Sequence, residues 1–235
     1  MSAVQALQGH RVVVTGGLGQ LGQALGTLLA GRGARVVLLD RVQAPPDLRL
    51  PPGVEAIGGF DLATAAAATS ALGEAAQRLD GCNGLVNVAG GFQWQTLADG
   101  DIGTWDTLYA MNLRSAVLAS QAALPWLRAA APAAIVNVGA LAALKAGAGM
   151  GAYAAAKSGV ARLTEALAEE LKDQGVRVNA VLPSVLDTPA NRADMPQADA
   201  SRWVSPAALA AVVAFLLSAE AAAVTGACVP VAGRT

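Results

Sequence analysis

Along the 235-residue chain, short apolar runs rich in valine and leucine alternate with longer stretches whose apolar positions return every three or four residues. The short runs read as buried strands and the longer ones as helices with one apolar face. Strands are expected at 11–16 (RVVVTG), 35–40 (RVVLLD), 54–61 (VEAIGGFD), 84–90 (GLVNVAG), 133–139 (AAIVNVG), 176–183 (VRVNAVLP) and 226–233 (GACVPVAG). Helices are expected at 19–33, 63–79, 104–128 and 151–174, and from Pro206 onward, where Ser205 supplies a cap and Pro206 the first helical position. Strands that are apolar throughout and alternate with helices belong in a parallel sheet covered on both faces. The expected fold is a single doubly wound α/β domain, a three-layer Rossmann-type unit over residues 1–235. Residues 187–203 (DTPANRADMPQADASRW) break this rhythm. The segment is polar, proline-punctuated and long for a connection, so 191–203 is expected to form a flap, with Met195 and Trp203 as apolar walls.

Composition narrows the partners. Charged residues make up 14% and the formal net charge is −1, which gives no electrostatic attraction to nucleic acid or an anionic membrane. Hydrophobic residues reach 54%, much of it alanine, enough for a large core. The most apolar window, 206–223, contains Ser218 and Glu220 and falls short of the roughly 20 residues a membrane span needs. The opening MSAVQALQGHR lacks the basic start and apolar core of a secretory leader. Cys82 and Cys228 lie far apart and read as free, buried thiols of a reducing compartment, and His10 reads as a surface residue, so no metal site is expected. The expected setting is the cytoplasm and the expected partner a small molecule.

The first expected strand runs into TGGLGQLG, which opens the first helix. Gly16, Gly17, Gly19 and Gly22, with Leu18 and Leu21 between them, make a loop whose backbone turns tightly enough to approach a pyrophosphate. The helix start then offers free N–H groups to the anion. Asp40 closes the second strand, 18 residues after Gly22, where a carboxylate accepts hydrogen bonds from a ribose diol and repels a 2′-phosphate. This favours NAD(H); the neighbouring Arg41 keeps NADP(H) open. Asp61 and Leu62 follow the third strand, where Asp61 either touches the adenine edge or caps the next helix. Asn87, Ala89 and Gly90 end the fourth strand, at the carboxyl edge where open α/β sheets bind ligands.

Tyr153 and Lys157 lie four residues apart, one turn along a helix face. A phenol is a poor base at neutral pH, and a nearby ammonium is expected to draw its pKa toward the working range. A buried tyrosine with a solvated lysine would give the same spacing by chance; the glycine loop upstream favours chemistry.

Taken in order, TGGLGQLG, Asp40, Asn87-Val-Ala-Gly, Asn112, Tyr153-x-x-x-Lys157 and PSVLDT (183–188) resemble the short-chain dehydrogenase/reductase superfamily over essentially the whole chain. The resemblance implies that Tyr153 is the general acid/base, that Lys157 binds ribose hydroxyls and lowers the tyrosine pKa, and that Asn112 holds a water in the proton relay. It also places Thr188 at the nicotinamide end and Pro183 and Ser184 among the cofactor-binding residues, with Ser184 where the family has glycine. The departure is Ala140, thirteen residues before Tyr153, where the family carries its catalytic serine. GALAAL, GMGAYAAAK and VLPSVLDTPANRADMPQADASRW are similar to the dihydropteridine reductase-like subgroup. That likeness implies an electron-poor quinonoid substrate with no developing alkoxide to hold. The rivals are an ordinary carbonyl or alcohol oxidoreductase, including a 3-oxoacyl-thioester reductase, and a cofactor-binding sensor without turnover. The resemblance also implies a homodimer or homotetramer built on the long apolar helices.

Overall fold

The computed structural model describes residues 6–235; the expectation that no leader opens the chain and the domain assignment for residues 1–5 lie outside the described residues. Among the described residues seven strands form one parallel sheet in the order β3-β2-β1-β4-β5-β6-β7. They are β1 (Arg11–Thr15), β2 (Arg35–Leu39), β3 (Val54–Ile57), β4 (Gly84–Asn87), β5 (Ala133–Val138), β6 (Val176–Pro183) and β7 (Cys228–Val231). The helices are α1 (Gln20–Gly31), α2 (Ala65–Leu79), α3 (Ile102–Tyr109), α4 (Ser115–Ala129), α5 (Gly151–Leu171), α6 (Pro189–Asp194) and α7 (Pro206–Leu217).

Alternation within each strand divides the core in two. Val12, Val14, Val36 and Leu38 pack with Leu25 and Leu29 of α1 and Val213 of α7. Val13, Val37, Leu39 and Ile135 face the other way, onto Leu72 and Leu79 of α2, Leu127 of α4 and Leu171 of α5. The sheet is therefore apolar on both faces, as a parallel sheet between two helix layers must be. The chain winds outward from β1 through β2 to β3, then restarts at β4 on the other side of β1. This reversal splays the loops after β1 and β4 apart and opens a crevice at the carboxyl edge.

Four expectations change. The helix foreseen over 104–128 is two helices joined by a π-helical turn, Ala110–Arg114. Asn112 Nδ2 donates to the Leu108 carbonyl (2.9 Å) and Ser115 Oγ to the Met111 carbonyl (2.7 Å). Each side chain takes the acceptor that a regular helix assigns to its own N–H, and the turn widens. The third strand stops at Ile57, and the chain turns beyond it at Gly59, which has φ +92. The polar stretch after β6 is partly helical: Thr188 caps α6, and a 3₁₀ turn covers Ala200–Arg202. His10 is half-buried rather than a surface residue, with its Nδ1 enclosed at the amino edge of the sheet. The start of α7 is as expected, with Ser205 Oγ accepting from Ala208 N at 3.1 Å. Cys82 and Cys228 are free thiols; Cys82 is buried as expected, whereas Cys228 on the edge strand β7 is only half-buried.

Candidate active site

A cleft of about 590 Å³ runs along the carboxyl edge, from Asp40 past the glycine loop to Thr188. Its floor is backbone. Thr15 Oγ1 accepts from both Val88 N and Ala89 N at 3.1 Å, tying the tips of β1 and β4 together. Gly16 takes φ +62, and a Cβ there would come 2.8 Å from Ala89 N. A Cβ on Gly22 would meet the Gly16 and Gly17 oxygens at 2.5 Å. Both glycines are thus required by close approach. Gly17 packs on Leu38 and donates its N–H to Leu39 O (2.9 Å). Helix α1 begins at Gly19 with no side-chain cap and no acid in its first turn, so its leading N–H groups are left for an anion.

At the far end Asp40 Oδ2 accepts from Leu18 N (3.0 Å) and Oδ1 from Val42 N (3.2 Å). The carboxylate is fixed at the cleft wall beside exposed Arg41, and Asp61 and Leu62 complete that wall. Asp61 Oδ1 accepts from Ala63 N (3.0 Å), while Thr64 occupies the cap position of α2. Gly19, Leu21, Ala89 and Gly90 line the middle of the cleft.

Not every expected cofactor residue presents a side chain here. Asn87 points into the core, where its Nδ2 donates to Ser120 Oγ (3.0 Å) and Asn137 Oδ1 (2.9 Å). Ser184, in place of glycine, donates its hydroxyl to Ala232 O (2.7 Å) and so ties the loop after β6 to the chain after β7; Pro183 is buried at the end of β6. The sequence reading also missed Phe60, Thr107, Met111, Ser115 and Leu186, which line the same cleft. The inward set from α3, the π turn and α4 follows from that wide turn, and no motif marks it.

A nicotinamide dinucleotide fits these residues: a glycine cradle with no room for side chains, an uncapped helix start, and a fixed carboxylate for a ribose. When bound, it supplies or takes up the hydride.

Tyr153 and Lys157 share one face of α5, as expected. Lys157 is 5% exposed, and its Nζ donates to the Val138 carbonyl at the end of β5 (2.9 Å). Nζ stands 5.9 Å from the centre of the Tyr153 ring, at the outer limit of a cation–π contact. Burial lowers the Lys157 pKa to about 8. Tyr153 is half-buried as a residue, yet enough protein surrounds its hydroxyl to push the pKa up to about 12. The expected lowering of the phenol by its lysine is therefore not delivered by the protein's own groups. The ammonium is turned to a backbone carbonyl and is itself weakened by burial. Burial keeps Tyr153 in its protonated form.

Asn112 sits on the π turn and links to the β4 tip: Gly91 N donates to its Oδ1 (3.2 Å), and its Nδ2 donates to Gly91 O (3.0 Å). Beside Tyr153 the ring of Phe92 stands edge-on, centroids 5.0 Å apart at 88°. Ala140 lies two residues beyond Val138, buried at 6% exposure, with no hydroxyl to offer. Among the described residues no cluster of three or more His, Cys, Asp or Glu could hold a metal ion, and no helix is long and apolar enough to cross a membrane.

The sequence pattern of the short chain dehydrogenases matches residues 10–199. The protein belongs to the short-chain dehydrogenase/reductase family and is an NAD(P)-dependent oxidoreductase of that family. It is 33% identical to 2-(S)-hydroxypropyl-CoM dehydrogenase 3 of Xanthobacter autotrophicus, over 97% of this chain and 96% of the relative. The same organism's inactive 2-(S)-hydroxypropyl-CoM dehydrogenase 2 is 36% identical over 83% of this chain and 91% of its own length. Cyclopentanol dehydrogenase of Comamonas is 32% identical over 92% of both chains. Among solved structures, a Serratia marcescens short-chain dehydrogenase/reductase variant superposes with a TM-score of 0.87 at 28% identity, covering 97% of this chain and 98% of that one.

Proposed function

We propose that this protein transfers hydride from NADH to a small ring compound whose reacting group is already electron-poor, such as a quinonoid or conjugated cyclic carbonyl. Quinonoid dihydropterin is one member of that class. The observation that carries the reading is Ala140. The position that offers the family's hydroxyl here offers a methyl group, so Tyr153 has no serine at that position to share the substrate oxygen. A plain ketone develops an alkoxide that profits from two donors, whereas a conjugated ring spreads the incoming charge over its own atoms. Phe92 supplies an apolar wall suited to a flat substrate.

Three further observations support parts of this reading. The relative acting on cyclopentanol favours a ring, although the relatives named above are not dihydropteridine reductases. Tyr153, with its pKa pushed up to about 12 by burial, enters the reaction as a protonated phenol. The Asp40 carboxylate at the cleft wall favours NADH over NADPH, despite Arg41 beside it. We also place the protein in the cytoplasm on its two free thiols, and expect a homodimer or homotetramer through the exposed apolar side chains Ile102, Trp105, Tyr109 and Trp126 on α3 and α4.

A second reading is favoured by the relative whose name marks it as inactive: a cofactor-binding protein without turnover, in which the lost hydroxyl is a sign of retirement. NADH oxidation followed with quinonoid dihydropterin, a benzoquinone, a conjugated cyclic ketone, cyclopentanone and a 3-oxoacyl thioester separates the readings. Turnover confined to the first three supports the proposal. Preference for cyclopentanone or the thioester makes the protein an ordinary carbonyl reductase, and NADH binding with no turnover on any of the five makes it a sensor.

A further inference from the structure

We propose that Trp94 is a positioning residue that clamps the two substrate-side loops together and so holds Phe92 and Tyr153 in register; this rests on Tyr153 being the proton donor.

The loops are 88–101, leaving β4, and 139–150, leaving β5. They rise from neighbouring strands at the carboxyl edge, and the second leads directly into α5, whose first turn carries Tyr153. Two consecutive residues of the first loop grip two consecutive carbonyls of the second. Trp94 Nε1 donates to Ala148 O (2.9 Å), and Gln95 N donates to Gly149 O (2.9 Å). Gly149 has φ +73, and the indole lies so close over it that an added Cβ would fall within the ring. The contact therefore needs both the left-handed backbone and the missing side chain.

The rest of the first loop is tied to β1 and to the α3–α4 segment: Val88 N and Ala89 N donate to Thr15, Gly91 pairs with Asn112, and Gln93 Nε2 donates to Thr104 Oγ1 (3.4 Å). Thr96 Oγ1 donates to Asp99 (2.8 Å), and Asp101 caps α3 by accepting from Thr104 N (3.1 Å). Its link to 139–150 is thus Trp94 and the adjacent Gln95 amide. Phe92 lies two residues before the clamp and Tyr153 four residues after Gly149, and these two rings meet edge-on. Trp94 closes that small circuit.

Exposure favours a functional reading. Trp94 is 60% exposed and Phe92 57%, so neither ring is placed there to fill the core. An aromatic left this open and hydrogen-bonded by its indole N–H is shaping a surface. With Ala140 giving no polar handle, the wall that Phe92 presents becomes a main determinant of how a ring substrate lies against Tyr153.

The test compares wild type with Trp94→Phe, which keeps a ring but loses the N–H, and Trp94→Ala, which loses both. Amide exchange at Gln95 and across 147–152 is read together with kcat/KM on the best ring substrate and the Kd for NADH. In Trp94→Ala, exchange at Gln95 rises at least tenfold and kcat/KM falls at least tenfold, with NADH affinity within twofold of wild type. Trp94→Phe falls between, at about a threefold loss. Trp94→Ala with exchange and kcat/KM both within twofold of wild type overturns the proposal. So does a parallel fall in NADH affinity, melting temperature and kcat/KM, which would mark a merely structural role. If wild type turns over no ring substrate, the substrate reading fails by itself, and the exchange measurement alone decides whether the clamp exists.

Discussion

The two ends of the cleft are built from different materials. Around the β1–β4 reversal, binding surface is mostly backbone: Gly16 against Ala89, Gly22 against Gly16 and Gly17, and the uncapped start of α1. At the other end it is mostly side chain, from three separate stretches: Thr107 and Met111, Ser115, and Leu186 with Thr188 and Ala190 at the start of α6. A backbone cradle tolerates few sequences, because any Cβ within it collides with main chain that cannot move away. A side-chain wall tolerates many sequences, and each gives a different substrate. The nucleotide end states the cofactor class, while the other end holds the individuality of the enzyme.

This contrast can be broken at several points. The largest effect is expected from Tyr153→Phe, which removes the donor while leaving the cradle intact. Turnover should fall about 10² to 10⁴-fold, with NADH affinity nearly unchanged by titration of NADH fluorescence. Equal losses in both would mean the two ends are not separable. Gly22→Ala is the mirror experiment. Its methyl has no room at 2.5 Å from two carbonyl oxygens, so NADH affinity should drop about a hundredfold, roughly 2.7 kcal/mol, while amide exchange in 88–101 stays as in wild type. Asp40→Ala sharpens the cofactor choice: NADH should weaken about tenfold, roughly 1.4 kcal/mol, and NADPH less. A wild-type preference for NADPH by the same factor would contradict the assignment.

Smaller effects come from pH. Lys157 titrates at about 8 because burial disfavours its charge. Cofactor affinity that depends on the ammonium should decline as pH rises through that value, whereas Tyr153 stays protonated to about 12. Stability moves the other way. Between about 8 and the ordinary 10.5 the unfolded chain holds a proton that the folded chain has released, so Lys157 makes the fold more stable as pH rises through that window. Lys157→Met should abolish the pH dependence of NADH affinity in this range, and an unchanged pH profile would remove the lysine from cofactor binding. The smallest effect concerns the flap. Its end is pinned, Arg202 Nε donating to Arg234 O (2.9 Å) and Arg234 N to Arg202 O (2.9 Å). Cofactor with a substrate analogue should slow exchange in α6 and leave Arg202 and Val204 unaffected.

The layered α/β architecture was legible in the sequence because buried parallel strands leave continuous apolar runs, and the glycine loop because close backbone approach leaves one choice of residue. Tyr153 and Lys157 were legible as a one-turn pair. The π turn was not, because it arises from Asn112 and Ser115 competing for helical carbonyls, and both are compatible with an ordinary helix. The inward turn of Asn87 was also hidden, since a strand-end asparagine gives no sign of which face of the sheet it bonds to. Nor could spacing show that Lys157 spends its ammonium on Val138 O and leaves the phenol high. The Trp94 clamp joins residues 54 positions apart through a carbonyl, and a carbonyl carries no sequence signature.

The central claim is that Ala140 fits a substrate needing one donor. Its most direct test is kcat for wild type and Ala140→Ser, with NADH, on a quinonoid or conjugated ring substrate and on a plain cyclic ketone shown to bind. Wild type is expected to turn over the activated ring well and the ketone poorly, and the new hydroxyl to change the first by less than about threefold. A hundredfold gain on the activated ring, roughly 2.7 kcal/mol of barrier, would contradict the claim and make this site a carbonyl reductase weakened by the loss of its serine.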